Sequence, residues 1–309
     1  MKRALLPLAL IAAGPAQAQT SKPFLVVESG QRFERLQAAL NAIGDRTATI
    51  RIAEGTWRDC GVQLAGNVTY TAATPGKTVL QSQLCESKAA LVLRGRSARV
   101  EGLIFSNYAT EDGNGAGIRL EQGHLTVSQS WFRNSEEGIL AGNDAKGQII
   151  IDRSTFTHLG RCDRGLACAH SIYIGFYDKV TITNSRFEAG NGGHYIKTRS
   201  AKVDIRDNVI DDTAGRASNY LIDLPAGATG RISGNWMVQG AHKENGSTII
   251  AVAAESRDHP SDGLVIEGNS LRWAAGAGNN AVFVRDWQGG RLMLGANQLP
   301  AAMVRYKRQ

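Results

Sequence analysis

The stretch Asp178-Lys-Val-Thr-Ile-Thr-Asn-Ser-Arg-Phe187, continuing through Gly193-His-Tyr-Ile-Lys-Thr-Arg-Ser200, is one turn of a pattern that recurs along the chain. Related cassettes run over residues 125–132, 149–156, 203–210, 231–237, 264–271 and 292–299, each a short strand, a polar corner and an apolar anchor. The anchors are Phe105, Phe132, Phe156, Phe187, Ile210, Met237, Leu271 and Leu299, and the 194 residues between first and last give a period of about 28, the mark of a repeat architecture. Two positions before the later anchors stand Ser130, Ser154, Ser185, Asn208, Asn235, Asn269 and Asn297. These are small polar residues that tolerate tight turns and bond neighbouring backbone. Stacked coils bring them into a ladder.

A second apolar strand follows each corner, for example 117–120, 171–174, 195–199 and 248–252. No helical period separates the strands, which excludes βαβ crossovers, so each strand is expected to pair in parallel with its equivalent one repeat away. Two strands and a bend per repeat make a coil. The pattern resembles the right-handed parallel β-helix proteins of the pectate-lyase-like superfamily. The resemblance implies an all-β, single-stranded right-handed parallel β-helix of about ten coils. Architecture of this kind specifies no reaction.

Met1-Lys-Arg, the apolar run Ala4–Ala13 and Ala16-Gln-Ala18 read as a secretory signal peptide over residues 1–18, too short for a membrane anchor. Residues 19–47 are assigned to an N-terminal cap and 48–309 to one β-helix domain, since a solenoid grows by adding coils. Within the cap, residues 31–43 place Phe33, Leu36, Leu40 and Ile43 at helical spacing, an amphipathic capping helix for the open solenoid end. Thr49-Ile-Arg-Ile-Ala-Glu-Gly-Thr-Trp57 resembles the first coil of extracellular β-helix carbohydrate enzymes, pectin methylesterases among them. The Asp-Phe-Ile-Phe-Gly and Gly-Arg-Pro-Trp segments of the methylesterases are absent, and their activity is not carried over.

Four cysteines in an exported chain favour two disulfides, Cys60 with Cys85 and Cys162 with Cys168. The rival is zinc at His158, Cys162, Cys168 and His170, whose spacing matches no familiar site. No other segment has the length of a membrane span, so the mature chain is expected in the periplasm or outside, without membrane insertion. Without Lys2 and Arg3 the 35 basic residues become 33 against 28 acidic ones, a net charge of +5. A basic exported scaffold of stacked strands suits an acidic polysaccharide. Nucleic acid is not expected as a partner, because no basic run is interleaved with aromatics.

The chemistry concentrates in Gly192-Gly-His-Tyr-Ile-Lys-Thr-Arg199. With Ile196 buried, strand alternation sends Tyr195, Lys197 and Arg199 outward. Tyr173 is expected beside them on the previous coil, with His170 and His194 at the entering bends. Asn219 and Asp223 share the face on the next coil if Tyr220 and Ile222 point in, and Glu255 and Arg285 lie further along. The loops 161–169 and 190–193 wall the patch.

Cleavage of uronate polymers by β-elimination needs a base for the proton beside the carboxylate, a cation to neutralise that carboxylate and an acid for the leaving oxygen. Arg199 suits the neutraliser and Lys197, with a lowered pKa, the base; Tyr173, Tyr195 or a histidine donates the proton. Tyr195, Asn219, Asp223, Glu255 and Arg285 are assigned to substrate binding. In residue type the group resembles the Lys and Arg pair of β-helix alginate and chondroitin lyases, though here both lie on one strand. No cofactor is expected; calcium is left open, without a clear acidic cluster to hold it. The rival enzyme is a polygalacturonase-like hydrolase, which needs paired carboxylates; Gly193-His194 and Asp211-Asp212 point faintly that way, while the Asn-Thr-Asp motif is missing. A non-catalytic glycan-binding or envelope protein, its basic stripe merely solvated, is the reading from a different class.

Overall fold

The computed structural model describes residues 21–301 and 303–309; the expected signal peptide at 1–18 lies outside them. Strands one coil apart pair in parallel and build three sheets of 12, 9 and 10 strands that wrap a common core. Each coil therefore carries three strands where the sequence suggested two. The additional one is the anchor itself: Trp131–Ser135, Thr155–Leu159, Arg186–Glu188 and Val209–Asp211 pair in register as the second sheet. Each follows a first-sheet strand after a corner of two residues, so that strand, corner and anchor read as one cassette in the sequence.

The anchors stack inside. Phe105, Phe132, Phe156 and Phe187 follow one another at ring-centroid separations of 4.8, 4.9 and 4.7 Å, burying large apolar area in offset aromatic contacts. At the corner before them the expected ladder forms. The Ser154 N–H donates to Ser185 Oγ at 3.1 Å and the Ser185 N–H to Asn208 Oδ1 at 2.9 Å. Asn208, Asn235 and Asn269 each donate backbone N–H and side-chain Nδ2 to the Oδ1 of the next asparagine, ending on Asn297. Each Nδ2 of these three also donates to a carbonyl on the preceding coil, Ile182, Ile205 or Ile232. Every buried corner amide thus finds a partner.

The N-terminal end is closed as expected, with a shorter helix. Residues 31–33 pair antiparallel with Phe24–Val26, so the helix begins only at Leu36 and runs to Ile43, burying Leu36, Ala39, Leu40 and Ile43. Phe24–Val26 in turn pairs antiparallel with Thr47–Ile52, covering the open edge of the first coil. Both disulfides form, Cys60–Cys85 and Cys162–Cys168. The bonded sulfurs exclude the zinc reading, and two bridges fit an exported protein. Among the described residues no helix is long and apolar enough to cross a membrane.

Candidate functional site

The third sheet positions the site. Its inward register runs Ile139, Ile172, Ile196, Ile222, Ile250 and Val284, and the next residue of each strand faces out: Leu140, Tyr173, Lys197, Asp223, Ala251 and Arg285. Where the chain bends into these strands, His170, His194 and Tyr220 form a parallel row. The His170 ring stacks on His194 at 4.9 Å and meets Tyr173 edge-on at 5.4 Å, and His194 packs on Tyr220 at 5.2 Å. The row depends on Gly193, whose φ of 63° is left-handed and whose added Cβ would stand 2.0 Å from the Ala169 carbonyl oxygen. The Gly193 N–H donates to Cys162 Sγ at 3.3 Å, so the disulfide loop backs this bend, as expected of a wall.

Between the rows the charges converge. Lys197 Nζ lies 2.6 Å from Glu255 Oε1 and 3.5 Å from Asp223 Oδ2, and His194 Nε2 is 3.3 Å from the same Asp223 oxygen. The other Glu255 oxygen accepts from Arg199 Nη2, and Arg199 Nε donates to the Tyr173 hydroxyl at 3.0 Å. The His194 backbone N–H donates to His170 Nδ1 at 3.0 Å, which leaves the His170 proton on Nε2. Tyr173, Lys197, Arg199, Asp223, Glu255, His170 and His194 thus meet in one cluster.

Several expectations fail. Tyr195 does not face out: the bend falls between it and Ile196, both side chains point inward, and its hydroxyl donates to Asp212 Oδ1 at 2.6 Å. Alternation holds only inside a strand, and this strand begins at Ile196. Asn219 bonds Glu244, away from the cluster, while Tyr220 supplies a ring to the site instead of pointing in. Arg285 lies two coils beyond Asp223, 5.7 Å from the Trp287 ring. Asp212 has no free role as a hydrolytic carboxylate, because it accepts from Tyr195, Ser218, Gly240 and Lys243 in the core.

Electrostatics correct the role given to Lys197. Burial pulls its ammonium down, but Asp223 and Glu255 outweigh burial and its pKa stands above the ordinary value. It is a held cation and not a base. Burial pushes Asp223 up to about 7 despite Lys197, with Glu255 adding repulsion. His170 and His194 are driven well below the usual histidine range, chiefly by burial and then by neighbouring positive charge, and are neutral at neutral pH. His194 Nδ1 and Asp223 Oδ1 are buried without a hydrogen-bond partner among the described residues.

The family model described as right handed beta helix region matches residues 89–278. This chain belongs to that right-handed β-helix family. No curated protein sequence matches it. Among solved structures it is similar to rice weevil pectin methyl esterase, with 13% identity, TM-score 0.53 and 93% of this chain and 91% of that one covered. It is also similar to an alginate lyase from Paenibacillus sp. str. FPU-7, with 17% identity, TM-score 0.49 and coverage of 88% and 94%. At these identities the likeness is one of fold.

On this β-helix the sequence reading missed Glu137. Glu137 pairs with Ala116 two places before the inward Ile139, the same offset that His170 has from Ile172 and His194 from Ile196. It thus heads the histidine row. Burial drives its carboxyl well above the usual range against the pull of Arg119, and its Oε2 finds no partner among the described residues. Counting back two places from each inward isoleucine would have found it. Among the described residues no group of three or more His, Cys, Asp or Glu is placed to hold a metal ion.

Proposed function

We propose that this β-helix is a carbohydrate-active protein of the periplasm or cell exterior that cleaves an acidic, uronate-containing polysaccharide by β-elimination. The observation that carries this reading is that Lys197 and Arg199 together grip one carboxylate, that of Glu255, on the outer side of the cluster. A sugar carboxylate in that seat is neutralised by two cations, one of them permanently charged, which acidifies the proton on the adjacent carbon. His194 is neutral, and its Nε2, 3.3 Å from Asp223 Oδ2, takes that proton. The electron pair forms the new carbon–carbon double bond as the bond to the next sugar's oxygen breaks. Tyr173, half-buried beside Arg199, returns a proton to that oxygen. The held charge on Lys197 moves the role of base from Lys197 to His194.

Incubation with a panel of uronate polymers and neutral glucans tests this. The ultraviolet absorbance of the conjugated double bond should grow on at least one uronate polymer and on no neutral one. A flat trace with new reducing ends would make the protein a hydrolase, and retained binding without cleavage would make it a glycan-binding protein.

A further inference from the structure

Glu255 belongs to no strand; it follows the strand Thr248–Val252 on a connection that turns back over the sheet face. The turn is made by Ala253, buried and held at φ 55°, a left-handed conformation that costs a non-glycine residue strain. The Glu255 and Ser256 N–H groups both donate to the Pro225 carbonyl, at 3.0 and 2.9 Å, and fix the returning segment. The strained turn therefore delivers a carboxylate to the two cations of the site. The side chain of Glu255 is 43% exposed, against 9% for Lys197 and 19% for Arg199, so it is the outermost member of the cluster and leaves without disturbing the core. Beside it lies a hollow of about 440 Å³ lined by Ala253, Ala254, Ser256, Arg257 and Trp287.

We propose that Glu255 is an internal substitute for the substrate carboxylate: it holds the seat between Lys197 and Arg199 until a uronate displaces it, and so sets the requirement for a charged sugar. This rests on the reading of the seat as a uronate site. A neutral sugar has no group that replaces a carboxylate bridging two cations, so the contact stays closed to it. A uronate exchanges one carboxylate for another, and the released side chain has the hollow to move into. The occupied state lowers apparent affinity in proportion to the fraction of molecules it leaves open.

The test is calorimetric binding of D-galacturonate and of D-galactose to the wild-type protein, Glu255→Gln and Glu255→Asp, with unsaturated product followed on a uronate polymer. Glutamine keeps the size and loses the charge; aspartate keeps the charge and is too short to bridge. Galacturonate should bind Glu255→Gln about tenfold more tightly than wild type, with Glu255→Asp between them, and galactose should bind none of the three. If glutamine disturbs the fold, the aspartate variant carries the test by the same sign. Galacturonate binding that is unchanged, weakened or absent in both variants overturns the proposal. Wild-type turnover alongside that result would leave the lyase reading standing, whereas tighter binding without unsaturated product would sink the lyase reading and keep this one.

Discussion

Two columns of the solenoid handle polar groups in opposite ways. At the corner leading into the second sheet every coil repeats one solution, from Ser130 to Asn297, in which each backbone N–H donates to the side-chain oxygen of the next corner residue. On the outer face of the third sheet successive coils carry Leu140, Tyr173, Lys197, Asp223, Ala251 and Arg285, and buried atoms of Asp223 and its neighbour His194 find no hydrogen-bond partner among the described residues. A repeated residue is explained by the stacking of identical coils. A residue that occurs once on a repetitive scaffold, buried and incompletely bonded, needs another reason, and such groups gather at functional sites.

The widest separation between the columns should appear in turnover. Lys197→Ala or Arg199→Ala removes half of the carboxylate seat and should lower kcat/KM on a uronate polymer by about 10²–10³. Lys197→Arg keeps the positive charge and, with Lys197 serving as a held cation, should retain far more activity than Lys197→Ala. Equal loss in Lys197→Ala and Lys197→Arg would return the role of base to Lys197. Asn235→Leu in the ladder should leave kcat/KM near wild type at temperatures where it is folded.

Stability should reverse the ranking. Asn235→Leu strands the Asn208 amide and the Ile205 carbonyl, each of which loses a partner. A buried polar group without a partner costs about 1–3 kcal/mol, so thermal or denaturant unfolding should show a clear drop. Melting unchanged from wild type would mean that water replaces the ladder and that the corner is not a dry stack. Arg199→Ala, on the partly exposed face, should shift the midpoint less than Asn235→Leu does.

The two columns were unequally legible in the sequence. Anchors and corners recur every coil, so periodicity located them and even predicted the ladder; the second sheet escaped because only a two-residue corner parts its strands from those of the first sheet. At the site, the residue types on 170–199 were legible and their environment was not. Tyr195 was placed outward because alternation was extended one residue past the bend. Lys197 was given a lowered pKa because its partners are distant in sequence: Glu255 stands 58 residues away and Asp223 one coil on. Glu137 carries no motif and shows itself only once the register is known.

The last comparison sharpens the contrast most, because it separates the columns by proton. Burial raises the folded-state pKa of Asp223 to about 7, above the value it has in the unfolded chain. The folded state therefore binds this proton more tightly, and the resulting stability is fully present below about pH 4 and lost as pH rises toward about 7. His170 and His194 act in the opposite sense: their folded pKa values are lowered, so their contribution is present above the unfolded histidine value and is lost on acidification. These terms partly cancel in the wild-type protein, and its own melting curve against pH hides Asp223. The difference between Asp223→Asn and wild type cancels the His170 contribution, which both proteins share, and reports Asp223 together with its coupling to His194. Relative to wild type, Asp223→Asn should gain stability as pH rises from about 4 to about 7 and hold a constant offset above that. The corresponding difference for Asn235→Leu should be flat over the whole range, because no group in the ladder titrates there. Thermal melts of the three proteins across this range decide the matter: a flat difference for Asp223→Asn would mean that its carboxylate stays ionised in the fold, fully compensated by Lys197, and that the outer column is as well satisfied as the corner.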